Sequence, residues 1–143
     1  MAKIYCINDY KLYAEMVGLM LERKGGHEVI ADILPLDMAE IEAFGPDLII
    51  LNLVRKLDSL VAGGMHDFDT EVEGARALKF VNAAPALSRY PVVITAMAVL
   101  ERDLPKGLRY EAFVEVPQKL DNLLEIIEKI VRTRDKGHPL LPD

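Results

Sequence analysis

The chain has no tryptophan, one cysteine and three histidines in 143 residues, and aromatic residues make up only 6% of it. A single thiol, Cys6, admits no intrachain disulfide, which excludes a disulfide-stapled scaffold. No apolar run approaches the roughly 20 residues that span a bilayer. The opening MAKIYCIND also lacks the basic, apolar, small-residue order of a secretory signal. These absences point to a cytoplasmic protein with no membrane partner. A surplus of positive charge is missing too: 17 Lys plus Arg stand against 23 Asp plus Glu, a net −6. Such a chain is not drawn to nucleic-acid backbones, so protein partners or small ligands are expected. What is present is 51% hydrophobic and 28% charged residue content, enough for one cored domain of about 100–150 residues.

Along the chain, short apolar runs alternate with amphipathic stretches. Lys3 to Ile7 reads as a strand stopped by Asn8-Asp9. From Leu12, the residues Leu12, Met16, Leu19, Met20 and the Arg23 stem recur at helical steps, which predicts that this face packs on the first strand; Gly25-Gly26 stops the helix. Glu28 to Ile33 reads as a second strand, and Asp37 with Glu40 resembles a capping pair opening a helix that Gly45-Pro46 closes. Leu48 to Val54 is apolar throughout except for Asn52, the mark of a parallel strand buried on both faces. Arg55 to Glu73 reads as a long loop. Helical spacing returns from Gly74 to Ala84, then strands at Val92–Ala96 and Ala112–Val116. Between those strands Pro105 and Gly107 leave room only for a short or broken helix. Leu120, Leu123, Leu124, Ile127, Ile130 and Val131 mark a final amphipathic helix.

Five such alternations imply an α/β fold, a doubly wound five-stranded parallel sheet flanked by helices on both faces, with a long loop between strand 3 and helix 3. Sheets of this kind carry functional residues at the carboxyl ends of their strands. Asn8-Asp9, Asn52, Thr95-Ala96 and Val116-Pro117 fall there.

In these positions the chain resembles the receiver domain of bacterial two-component response regulators, the CheY-like family. KIYCIND lines up with the family's strand-one acidic pair, and PDLIILNL with the strand carrying the phosphoacceptor aspartate. EGARALKFVNAAPALSRYPVVITA lines up with helix three through the switch threonine, and AFVEVPQKLDNLLEII with the aromatic, the Lys-Pro pair and the last helix. The resemblance implies a magnesium site at the acidic pair, an aspartyl nucleophile, and a threonine and a lysine that hold phosphate. Here the first acidic position is Asn8 and the second Asp9. The phosphoacceptor position is Asn52, the lysine position Val116, and the inward aromatic Phe113. Thr95 is the expected switch threonine, with Ala96 as the alternative if the strand is one residue short.

A carboxamide oxygen is a far poorer nucleophile than a carboxylate, so Asn52 is not expected to accept phosphate. Reducing three clustered carboxylates to Asp9 removes most of the attraction for magnesium, and no other cofactor is expected. With that repulsion gone, Val116 needs no charge. Plainer roles remain open for each residue: Asn52 as a cap on a neighbouring backbone group, Asp9 as the N-cap of helix one, and Thr95 as a simple β-former.

His66, Asp67, Asp69, Glu71 and Glu73 lack ligand spacing and read as a solvated acidic loop. Its apolar members Leu57, Leu60, Val61, Met65 and Phe68 would also suit a cover over the pocket or a docking segment. His27 and His138 have no nucleophile partner, and Asn8 to Lys11 holds no glycine-rich phosphate loop, so neither an enzyme nor a nucleotide site is expected.

The domain reading is a receiver-like unit over 1–132, an insertion at about 56–72 and a tail over 133–143. The functional expectation is a stand-alone, atypical receiver in two-component or phosphorelay-type signalling, acting through protein partners or a homodimer without phosphorylation. By family analogy its contact face is helix four, strand five and helix five. The alternative is a small-molecule sensor with ligand among Asp9, Asn52 and Thr95. Phosphorylation at Asp47 or Asp58 is disfavoured, because Asp47 precedes its strand and Asp58 lies beyond it.

Overall fold

Three apolar strand segments with no exposed side on either face can sit only in the middle of a sheet covered twice, and the chain folds accordingly. The computed structural model describes residues 1–56 and 68–137. Its elements are β1 (Lys3–Asn8), α1 (Lys11–Gly25), β2 (Glu28–Ile33), α2 (Met38–Phe44), β3 (Leu48–Arg55), α3 (Phe68–Glu71), β4 (Val72–Glu73), α4 (Ala75–Ala83), β5 (Val92–Met97), β6 (Ala112–Glu115) and α5 (Leu120–Gly137). The sheet order is β2-β1-β3-β5-β6, all parallel, with β4 added antiparallel to the end of β3. Fold class and strand order agree with the doubly wound reading.

Alternate residues of the central strands feed two cores. On one face Tyr5, Ile7, Ile49, Leu51 and Ile94 meet Ile41 of α2 and Ala77, Leu78 and Val81 of α4. On the other Ile4, Cys6, Leu48, Ile50 and Val93 meet Val17 and Leu21 of α1 and Leu123 and Ile127 of α5. Burial pushes the Cys6 thiol pKa above its ordinary range, which leaves it an inert core residue. The Tyr5 hydroxyl reaches across the sheet edge to Asp32 at 2.6 Å and Glu40 at 2.9 Å, fastening α2 to β1 and β2. Asp37 caps α2 by accepting from the backbone N–H of Ala39 and Glu40.

Several expectations need correction. Helix α1 does not pack through Leu12, Met16 and Leu19: its buried residues are Ala14, Val17, Gly18 and Leu21, while Leu12 is 65% and Leu19 48% exposed. The reason is steric. A Cβ on Gly18 would lie 3.0 Å from Val29 Cγ1, so α1 approaches β2 only with its small-residue face inward.

The segment read as a loop through Glu73 contains α3 and β4, and β4 pairs Val54↔Glu73 and Arg55↔Val72. Strand β5 continues to Met97, one residue beyond the expected end at Ala96. Between β5 and β6 the described chain forms only a 3-10 turn at Glu101–Asp103, as the short or broken helix expected there, with Tyr110 Oη bonded to Glu101; further along, Arg109 bonds Tyr90 O and Leu87 O. Helix α5 runs to Gly137, so residues 133–137 are helical rather than tail. Asp58, His66, Asp67 and the apolar residues Leu57, Leu60, Val61 and Met65 lie outside the described residues, as does His138.

Two measurements check this packing. In denaturant titration, Leu21→Ala is expected to cost about 2–5 kcal/mol as a core truncation, whereas Leu12→Ala stays within about 0.5 kcal/mol as a surface change.

His27 is buried and its Nδ1 accepts the Ala2 N–H at 3.0 Å. Burial first, then the N-terminal ammonium, lowers its pKa below the ordinary value, with Glu128 opposing. The unfolded chain therefore binds a proton that the folded chain refuses, and stability is lost as pH falls through about 6.5. A His27→Gln chain is expected to lose that component of the pH dependence; an unchanged profile would assign it to other groups.

Candidate functional site

The carboxyl ends of β1, β3 and β5 bring Asn8, Asn52 and Thr95 together, and all three are fully buried. Asn52 and Thr95 are register partners on adjacent strands, and Thr95 Oγ1 donates to Asn52 Oδ1 at 3.0 Å. The other end of the same amide, Asn52 Nδ2, donates to the Tyr13 carbonyl of α1 at 2.8 Å. Asn8 Nδ2 donates to the backbone oxygens of Asn52 and Glu73, and its Oδ1 accepts from Tyr10 N–H at 2.8 Å. Two carbonyls facing one end and an N–H facing the other fix the orientation of the Asn8 amide. Among the described residues no buried side-chain polar atom lacks a partner.

A short flap, Phe68–Gly74, covers this cluster. Gly74 has φ +104, and a Cβ there would lie 2.5 Å from Asn52 O and 2.9 Å from Asn8 Nδ2. Only glycine fits both the left-handed backbone and the contact. The acidic residues of the described flap are ion-paired, Glu71 and Glu73 in shielded positions and Asp69 in solvent. Asp69 pairs with Lys79, Glu71 with Arg55 at 3.0 Å, and Glu73 with Lys56 at 3.2 Å.

Asp9 is not the cap of α1, whose N-cap is Tyr10 with no side-chain bond. Its carboxylate instead accepts from the N–H groups of Gly74 at 2.9 Å, Ala77 at 3.0 Å and Arg76 at 3.4 Å. It caps α4 from 65 positions away in the chain, with the negative charge at the positive end of the helix dipole.

Magnesium does not fit these residues. Both Asp9 oxygens are engaged by backbone donors, the Asn52 carbonyl receives an amide N–H, and Asn8 presents a donor where a hard cation needs an oxygen. Among the described residues no group of three or more His, Cys, Asp or Glu is placed to hold a metal ion.

Val116 lies buried in the second core, and its N–H bonds Ala96 O at 2.9 Å. Phe113 packs against the first core. Asp47 sits at the opposite edge of the sheet, where it accepts from Lys3 N–H. A groove of about 470 Å³ lined by Pro91, Ala112, Ile126, Lys129 and Ile130 is also remote from Asn52.

Sequence reasoning passed over Arg55 and Gly74 in this region, and took Glu73 only as part of a solvated acidic loop. The available signal was a charged pair, Arg55-Lys56, ending an apolar strand, and a glycine directly before a helix.

No family model and no curated protein matches the chain. Among solved structures it is similar to the signal receiver domain of a DNA-binding response regulator from Colwellia psychrerythraea, with 20% identity, TM-score 0.56, 92% of this chain and 99% of that one. A signal receiver domain from Vibrio parahaemolyticus matches at 19% identity and TM-score 0.55 over 99% of this chain and 98% of that chain. A CheY-like receiver domain from Methylobacillus flagellatus matches at 19% identity and TM-score 0.53, covering 91% and 98%. The chain thus has the receiver-domain fold.

The site geometry generates two stability expectations. Asp9→Ala removes the cap of α4 and is expected to cost about 1–2 kcal/mol in chemical denaturation. Asn8→Asp places a carboxylate against two carbonyl oxygens and is expected to cost about 2 kcal/mol or more. An Asn8→Asp chain as stable as the parent would show that the amide hydrogens do not hold the flap.

Proposed function

We propose that this chain is a degenerate receiver, a signalling domain that works by protein–protein contact and not by phosphoryl transfer. The observation that carries the reading is the Asn52 carboxamide. It stands at the strand-end position where the fold's relatives by resemblance carry an aspartyl nucleophile, it is buried, and both its ends are already hydrogen-bonded. An amide in that state offers neither a nucleophilic oxygen nor a path for a phosphodonor. In this reading Thr95 occupies the switch position and Val116 the lysine position, and the switch hydroxyl is spent on Asn52 rather than on phosphate.

The proposed partners are proteins, a second copy of the chain among them, in a cytoplasmic signalling setting; no enzymatic step is proposed. No helix among the described residues is long and apolar enough to cross a membrane. The contact face implied by the resemblance is altered, because the connection between β5 and β6 offers a 3-10 turn where that face expects a helix. The sensor alternative finds no support in the side chains it named. Asn52 and Thr95 bond to the chain itself, and Asp9 is occupied by α4.

Incubation with a small phosphodonor and magnesium, followed by intact-mass measurement, is expected to show no phosphate on the parent chain. Asn52→Asp is expected to remain poorly labelled and to lose about 1–3 kcal/mol, since a carboxylate there would face the Tyr13 carbonyl that now accepts an N–H. A stoichiometric phosphoadduct on the parent would overturn the reading.

A further inference from the structure

Ala98 is the one non-glycine residue with positive φ (+59) among the described residues, directly after β5. L residues adopt this left-handed conformation rarely and singly, so something must hold it. Arg55 does, with Nε donating to the Ala98 carbonyl at 2.9 Å. The same guanidinium reaches Glu71 of the flap with Nη1 at 3.0 Å and Asp103 of the 3-10 turn with Nη2 at 3.4 Å. Arg55 and Glu71 are largely shielded, with side chains 14% and 12% exposed. One planar fork thus spends a donor on each of three chain segments, a geometry that lysine cannot reproduce.

We propose that Arg55 is a latch that makes closure of the flap (Phe68–Gly74) and the left-handed state of Ala98 a single two-state unit. With the flap closed, Glu71 fixes the guanidinium so that Nε meets the Ala98 carbonyl. When Glu71 withdraws, the fork loses its orientation, Ala98 relaxes to a right-handed or extended conformation, and Val99–Asp103 moves with it. That segment carries Leu100, an exposed leucine, so the latch decides how this apolar side chain is presented. The device is independent of whether the domain takes part in signalling, and it supplies the bistable element that coupling between two surfaces requires.

Hydrogen exchange by mass spectrometry on the intact chain tests it. Glu71→Gln is expected to speed exchange about fivefold or more both in 68–74 and in 98–104. Glu73→Gln breaks the Lys56 ion pair of the same flap without touching Arg55, and is expected to speed only 68–74. Arg55→Lys is expected to speed 98–104 even with Glu71 intact.

Exchange that rises only in 68–74 with Glu71→Gln overturns the latch. So does an equal rise in 98–104 with Glu73→Gln, which would mark general loosening. Should Glu71→Gln fail to fold, Asp103→Asn at the more exposed end of the clamp reads the coupling in reverse. Faster exchange in 68–74 supports the latch, and an unchanged rate there overturns it.

Discussion

Two amides and a hydroxyl sealed away from water must find all their hydrogen bonds inside the protein, and that constraint organises the carboxyl edge of this sheet. An unpaired buried polar group carries a penalty comparable to a lost hydrogen bond, so each donor of Asn8, Asn52 and Thr95 has to be met by a fixed acceptor. Thr95 turns to Asn52, Asn52 turns to α1, and Asn8 turns to the carbonyls of Asn52 and Glu73. Meeting those demands draws the backbone of the flap down onto β3, which in turn demands glycine at position 74 and delivers the first N–H groups of α4 to the Asp9 carboxylate. The cluster, the flap and the helix start are consequences of one another.

The same region resolves its electrostatics locally. An acidic stretch over the end of a buried strand would be costly if left bare, but Arg55, Lys56 and Lys79 each stand within ion-pair distance of a flap carboxylate. The pairs differ in worth. Those of Asp69 and Lys79 lie in solvent and contribute little, while Arg55 and Glu71 are shielded enough for their geometry to matter. The net negative charge of the chain therefore says little about the field at the flap itself.

Much of the architecture was legible in the sequence, because long apolar strands and the α5 stripe repeat at the periods that strand and helix geometry impose. The gathering of Asn8, Asn52 and Thr95 was legible for the same reason, since each lies in the carboxyl half of such a strand. Helix α1 was read one face out, because periodicity weighs hydrophobicity and not shape. The larger residues Leu12 and Leu19 form the more obvious stripe, yet Gly18 and Ala14 let the helix come close to β2. The flap was invisible for a different reason. A four-residue helix and a two-residue strand are shorter than any period can reveal, and their positions are set by partners in β1 and β3 far away in the chain. Asp9 shows the limit in one residue: its spacing suggests the cap of the helix that follows it, and its actual target lies beyond β3.

The tight seat of Gly74 against Asn52 has a mechanical meaning. The room a side chain would take is already used, since a Cβ on Gly74 would lie 2.5 Å from the Asn52 backbone oxygen and 2.9 Å from the Asn8 amide nitrogen. The flap cannot lift at that point without withdrawing the Gly74 N–H from the Asp9 carboxylate and so loosening the cap of α4. The glycine works as a rivet: it fastens β1, β3 and the start of α4 at one place.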